Sequence, residues 1–173
     1  MAMEINNITR DILRNLNITV ASEIDLEVIT KAHDVKLKAS DLDDSISGFF
    51  VIKNGIANIV YNRYQSLVRQ RFTIAHELGH YILEHNKELS LSKTQLPIYR
   101  NEKSSTGEDK MEREANLFAA TLLMPADFIE FEIDNDFLNQ GNRIGYLAKK
   151  FKVSEQAMSY RLAYLDYDMN AIM

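Results

Sequence analysis

The sequence predicts a small α+β domain followed by a pair of short helices. Three observations carry this. Residues 66–85 and about 108–123 have apolar residues at helical spacing. Ahead of them, two apolar runs meet at Asn54-Gly55, a strong hairpin signal. At 173 residues the chain is one domain, or one domain with a helical appendage, and long enough to bury a core without disulfides.

The elements follow in order. Residues 4–17 carry Ile5, Ile8, Ile12, Leu13 and Leu16 at helical spacing. Asp25 is placed to cap a second helix through Leu26, Val28, Ile29 and Ala32. Val35-Lys36-Leu37 alternates like a short strand. Residues 49–53 and 56–61 read as adjacent antiparallel strands. From Ser66 to His85, Val68, Phe72, Ala75, Gly79, Ile82 and Leu83 form one helical stripe. Residues 86–107 read as a long polar loop around Pro97. The helix at 108–123 turns Met111, Ala115, Phe118, Ala119, Leu122 and Leu123 inward and ends at Pro125. An acidic connector leads to short helices at 142–151 and 154–165.

Composition excludes several classes. There is no cysteine, so a thiolate zinc site, a cysteine nucleophile and a disulfide scaffold are ruled out, and a cytoplasmic location fits. Any metal must be held by His and carboxylate. The N-terminal residues lack the apolar core of a signal peptide, and no apolar run is long enough to span a membrane. A formal net charge of −5 argues against a nucleic-acid coat. The charge is uneven: residues 126–140 hold five acids and no base, whereas 141–165 hold five bases against Glu155 alone.

The stretch RFTIAHELGH at 71–80 carries the chemistry. His76 and His80 project from one helix face, one turn apart, and can reach one cation at about 2.0–2.1 Å. Glu77 sits one residue round, placed to reach a water on the metal as a general base. Gly79 weakens the helix by about 1 kcal/mol relative to Ala, which implies close approach by another backbone, from a strand or a substrate. A catalytic zinc takes a third protein ligand. Glu84 is excluded, because residues eight apart on a helix stand about 12 Å apart along its axis. Helical spacing also leaves His85 off the ligand face. The helix at 108–123 offers Glu108, Asp109, Glu112 and Glu114. Glu112 and Glu114 flank its apolar face on opposite sides, and periodicity does not choose between them.

RQRFTIAHELGHYILEH followed by EREANLFAATLLMP resembles the ImmA/IrrE family of zinc-dependent metallopeptidases over about residues 20–130. The two blocks together are far more specific than H-E-x-x-H alone. The resemblance implies a gluzincin-like core: a short antiparallel sheet, an active-site helix and a glutamate helix. It implies that His76, His80 and Glu114 hold the metal and that Glu77 is the catalytic base. The ion would be zinc, with manganese open to the same ligand set. It further implies a cytoplasmic antirepressor protease that cleaves a helix-turn-helix repressor of a prophage or mobile element. Some relatives act by binding, so a non-proteolytic antirepressor is the alternative. Oxyanion donors could come from His85, Tyr99 or Arg100. The strand at Phe49–Val51, if it is a sheet edge, could pair with an extended substrate.

On this reading residues 1–136 form the metallopeptidase domain and 137–173 a helix-turn-helix-like appendage. Its second helix starts at Ser154 as N-cap. Ile144, Leu147, Phe151, Val153, Met158 and Leu162 supply its buried set, and Lys152 stands where such turns often have glycine. That helix offers only Gln156, Ser159 and Arg161 for reading bases, which argues against direct DNA binding.

Overall fold

Asn54 and Gly55 both take positive φ (52° and 74°), as a two-residue type I′ turn requires. The hairpin is therefore tight, with Lys53 paired to Ile56. The computed structural model describes residues 1–85, 90–92, 107–135 and 142–167. The hairpin strands, β2 (Gly48–Lys53) and β3 (Ile56–Asn62), follow β1 (Val35–Ser40), and β4 (Ser90–Ser92) completes a sheet of order β1-β3-β2-β4.

Two sheet expectations are corrected here. The sheet is mixed, not purely antiparallel, because β1 pairs with β3 in parallel. Residues 41–47 carry the chain past the position next to β1, so the hairpin docks with its second strand inward. Residues 86–107 are not loop throughout, since β4 lies within them. It pairs with Gly48, Phe49 and Phe50, so β2 is not a free edge over that stretch. The buried Asn62 side chain holds the 41–47 connection, donating to the carbonyls of Leu42, Asp43 and Ile46 at 3.1–3.3 Å.

The helices among the described residues are α1 (Ala2–Asn15), α2 (Leu26–Ala32), α3 (Leu67–Ile82), α4 (Gly107–Leu123), α5 (Ala126–Asn135), α6 (Arg143–Phe151) and α7 (Glu155–Tyr164), of which α2 and α3 lie against the sheet. Asp25 caps α2, accepting from the Glu27 amide at 2.8 Å, and Ser66 caps α3. α3 packs against β2 and β3 on one side and along α4 on another, and α1 backs α4. α3 is therefore buried all round from Thr73 to His80, a wider face than the expected stripe, and Val68 is exposed. Over its described residues, Ala126–Asn135, the acidic connector is helix α5. Its buried Glu132 meets Lys150 at 3.2 Å and the Tyr146 hydroxyl at 3.2 Å on α6.

The C-terminal helices share the main apolar cluster. Leu147, Phe151, Met158 and Leu162 pack in the same cluster as Ile5, Ile29, Ile59 and Phe118. Lys152 ends α6 in the left-handed conformation (φ 55°), where glycine is usual. Ser154 caps α7 as expected. Arg161 is buried and donates from Nε to the Met124 carbonyl at 2.9 Å, so it is structural and does not face outward for nucleic acid. Among the described residues no helix is long and apolar enough to cross a membrane.

Gly48 sets how closely β2 approaches α3. A Cβ there would lie 2.6 Å from Thr73 Cγ2 and 2.7 Å from the Val60 carbonyl oxygen. Backbone cannot swing aside as a side chain can. Gly48→Ala is therefore expected to lower the unfolding free energy by about 1–3 kcal/mol through overpacking. A Cβ at Gly55 meets nothing within 4 Å, so Gly55→Ala is expected to lose only the smaller amount set by its positive φ. Urea titration of the two variants checks the order.

Candidate metal centre

α3 and α4 cross with two contacts that define the site. Phe118 lies against Gly79: a Cβ on Gly79 would sit 3.0–3.2 Å from the Phe118 side chain. The close approach at Gly79 thus comes from a helix side chain, rather than from a strand or substrate backbone. One turn away, His76 Nδ1 and Asn116 Oδ1 are 3.0 Å apart. The amide oxygen only accepts, so His76 Nδ1 carries the proton and its neutral ring presents the Nε2 lone pair.

That lone pair points to a shared space. His76 Nε2 and His80 Nε2 are 3.0 Å apart. Glu112 reaches both, with Oε2 at 3.4 Å from His76 Nε2 and Oε1 at 3.2 Å from His80 Nε2. A donor atom from each of the three lies within 4.8 Å of the others. The resemblance placed the third ligand at Glu114, and the structure puts that residue elsewhere. Glu114 Oε2 lies 2.9 Å from His85 Nε2, outside the His76–His80–Glu112 group. The reason is helical geometry. Residues two apart on α4 point about 200° apart, whereas Glu112 and Asn116, four apart, share a row. Asn116 touches His76, so Glu112 must face the same site. That row, Glu-x-x-x-Asn, was the signal in the sequence that could have chosen Glu112. The side chains of Glu108 and Asp109, and all of Tyr99 and Arg100, lie outside the described residues.

The donor set fits a divalent ion. Four ligands at about 2.0–2.1 Å around a tetrahedral ion stand about 3.3 Å from one another. The observed separations of 3.0, 3.2 and 3.4 Å cluster on that value. Burial opposes ionisation of Glu112, but hydrogen bonds and charge from His76 and His80 outweigh it and hold the carboxyl far below its ordinary range. Burial likewise disfavours a charged His76, yet Glu112, Glu77 and Asn116 together raise its pKa. Both shifts come from the contact between Glu112 and the imidazoles, and a cation bound there would take the place of the proton on His76.

The surroundings complete the picture. His76 and His80 are buried, and Glu77 is fully enclosed beside them on α3. The Glu112 side chain is 48% exposed, so the group opens to solvent on one side. Phe72 stacks on the His76 ring and Phe50 on the His80 ring. A cleft of about 490 Å³ opens beside His80, lined in part by Phe50, Ile52, Tyr81 and His85. Burial lowers the pKa of His85, against the pull of Glu114, which favours the neutral ring.

A buried two-histidine, one-carboxylate centre with a solvent-facing side is the arrangement of a metallopeptidase. Residues 30–163 match the family model for Peptidase M78, the IrrE N-terminal-like domain, and the chain belongs to that family. Among solved structures it is similar to a Mycobacterium tuberculosis transcriptional regulator, with a TM-score of 0.62 at 15% identity. That likeness covers 96% of this chain and 48% of the regulator, so the chain spans about half of that protein. It speaks for the fold. No curated protein matches the chain.

The site makes a direct prediction. Glu112→Ala should lose stoichiometric zinc binding, and Asn116→Leu should weaken it by about 10–100-fold by releasing the His76 ring. Competition with a chromophoric chelator measures both. Equal affinity in Glu112→Ala would remove this residue from the ligand set.

Proposed function

We propose that the chain is a zinc-dependent endopeptidase with a gluzincin-like centre, in which His76, His80 and Glu112 hold the ion and Glu77 is the base. The observation that carries this is the convergence of the two Nε2 atoms and the Glu112 carboxylate, with the buried Glu77 next to His76 along α3. When bound, zinc supplies Lewis acidity toward a carbonyl and acidifies water. Glu77 takes the proton of the attacking water and delivers it to the leaving amine. Its full burial limits the motion of the carboxylate, which favours proton transfer at a fixed place. The solvent-facing side at Glu112 and the cleft by His80 leave room for a peptide to approach.

The proposed substrate is a helix-turn-helix repressor, whose cleavage would relieve repression. Two things support this: membership of the IrrE N-terminal-like family, and a solved neighbour named a transcriptional regulator. The α6–α7 pair belongs in this proposal as a docking or bracing unit. Its Arg161 is committed to Met124, which leaves its second helix poorly equipped to read bases.

Glu77→Gln keeps shape and removes the base. Incubated with the repressor encoded nearest to it, this variant should bind zinc as wild type does and cleave about 10²–10⁴-fold more slowly. Chelator should stop the wild-type cleavage, and zinc should restore it. Fragment masses read the result. Relief of repression that survives Glu77→Gln would instead favour an antirepressor that acts by sequestration.

A further inference from the structure

α3 does not run on to His85. It ends at Ile82, and Glu84 takes the left-handed conformation at φ 56°. The Glu84 amide bonds to the Tyr81 carbonyl at 3.2 Å and the His85 amide to the His80 carbonyl at 2.9 Å. That pair of bonds is a Schellman turn. It folds the chain back and brings His85, which a continued helix would carry away, beside His80. His85 Nδ1 then lies 3.3 Å from His80 Nδ1, with the rings edge to face at 5.3 Å. On its far side His85 Nε2 meets Glu114 Oε2 at 2.9 Å. His85 is 8% exposed and the Glu114 side chain 12%, so the row is largely shielded from water.

The direction of these bonds follows from one end. A carboxylate only accepts, so the His85 proton sits on Nε2 and faces Glu114. A neutral His85 then offers Nδ1 as an acceptor. His80 must donate to it from its own Nδ1, which leaves His80 Nε2 as a lone pair facing His76 and Glu112. We propose that Glu114 and His85 are positioning residues that fix the His80 ring and its tautomer for the metal, as Asn116 does for His76. Each ligand imidazole is then held from behind by α4, directly through Asn116 or through His85 by Glu114. Outer partners of this kind set ring orientation and raise ligand basicity. The inference rests on the proposed metal centre, and it explains why a second glutamate lies two residues after the ligand without joining it.

The test uses the full chain and zinc alone, and reads affinity and tautomers rather than turnover. His85→Leu and Glu114→Gln should each weaken zinc binding by about 10–100-fold. The double variant should lose little more than the weaker-binding single variant, because both act through one row. His85→Gln keeps one acceptor and one donor, so it should recover part of the affinity lost in His85→Leu. A merely structural role would lower the thermal midpoint of the metal-free variants and leave zinc affinity at its wild-type value. Imidazole nitrogen NMR of zinc-loaded wild type needs no variant: it should find the proton on Nδ1 of His80 and on Nε2 of His85. A proton on Nδ1 of His85, or unchanged affinity in either single variant, would overturn the proposal. Failure of the metal centre itself would read differently, as no zinc uptake by wild type or full uptake by Glu112→Ala.

Discussion

Three electron-pair donors face one another at the crossing of α3 and α4, and the rest of the molecule is arranged around that convergence. His76 Nε2, His80 Nε2 and the Glu112 carboxylate stand 3.0–3.4 Å apart. With Asn116 holding the proton of His76 on the opposite nitrogen, that ring turns a lone pair toward its neighbours. Lone pairs packed this closely repel unless a cation or a proton lies between them. The buried polar groups of α3 would otherwise oppose folding, since an enclosed carboxylate such as Glu77 and two enclosed imidazoles lose their hydration. A bound ion would offset much of that cost and would couple stability of this helix pair to metal occupancy.

The scaffold keeps α3 and α4 at the spacing that this requires. Gly79 lets Phe118 lie directly on α3, and a side chain there would push α4, with Glu112 and Asn116, outward. Gly48 does the same on the sheet side, where Thr73 and the Val60 carbonyl leave no room for a Cβ. α3 is thus clamped between a sheet and a helix, and the two histidines have little freedom to rotate. The C-terminal helices add to the clamp. Arg161 holds the Met124 carbonyl just past the end of α4, and Lys150 and Tyr146 hold Glu132 on α5. Residues 142–167 are therefore bound into the same core that supports the metal centre.

Much of this was legible in the residues, and the rest was hidden for identifiable reasons. Local rules work well where a residue acts on its own backbone. Asn54-Gly55, Asp25, Ser66 and Ser154 all do what turn and cap chemistry dictates. The pairing of His76 with His80 is also local, one helical turn. What escaped depends on tertiary placement. The parallel pairing of β1 with β3 follows from where the hairpin docks, and β4 is too short for periodicity to reveal. Helical spacing leaves His85 off the ligand face only if the helix continues past Ile82, and the left-handed Glu84 turns the chain there instead. Resemblance points to Glu114, the glutamate next to Ala-Asn, whereas helix rows group Glu112 with Asn116, and Glu112 is the one that lies with His76 and His80.

One divalent ion is expected between His76, His80 and Glu112. Anomalous diffraction at the zinc edge, from crystals of the zinc-loaded chain, tests it most directly. A single strong peak is expected within about 2.0–2.2 Å of the two Nε2 atoms and a Glu112 oxygen. Glu114 should remain on His85. A peak bonded to Glu114 in place of Glu112, or no peak between α3 and α4, would contradict it.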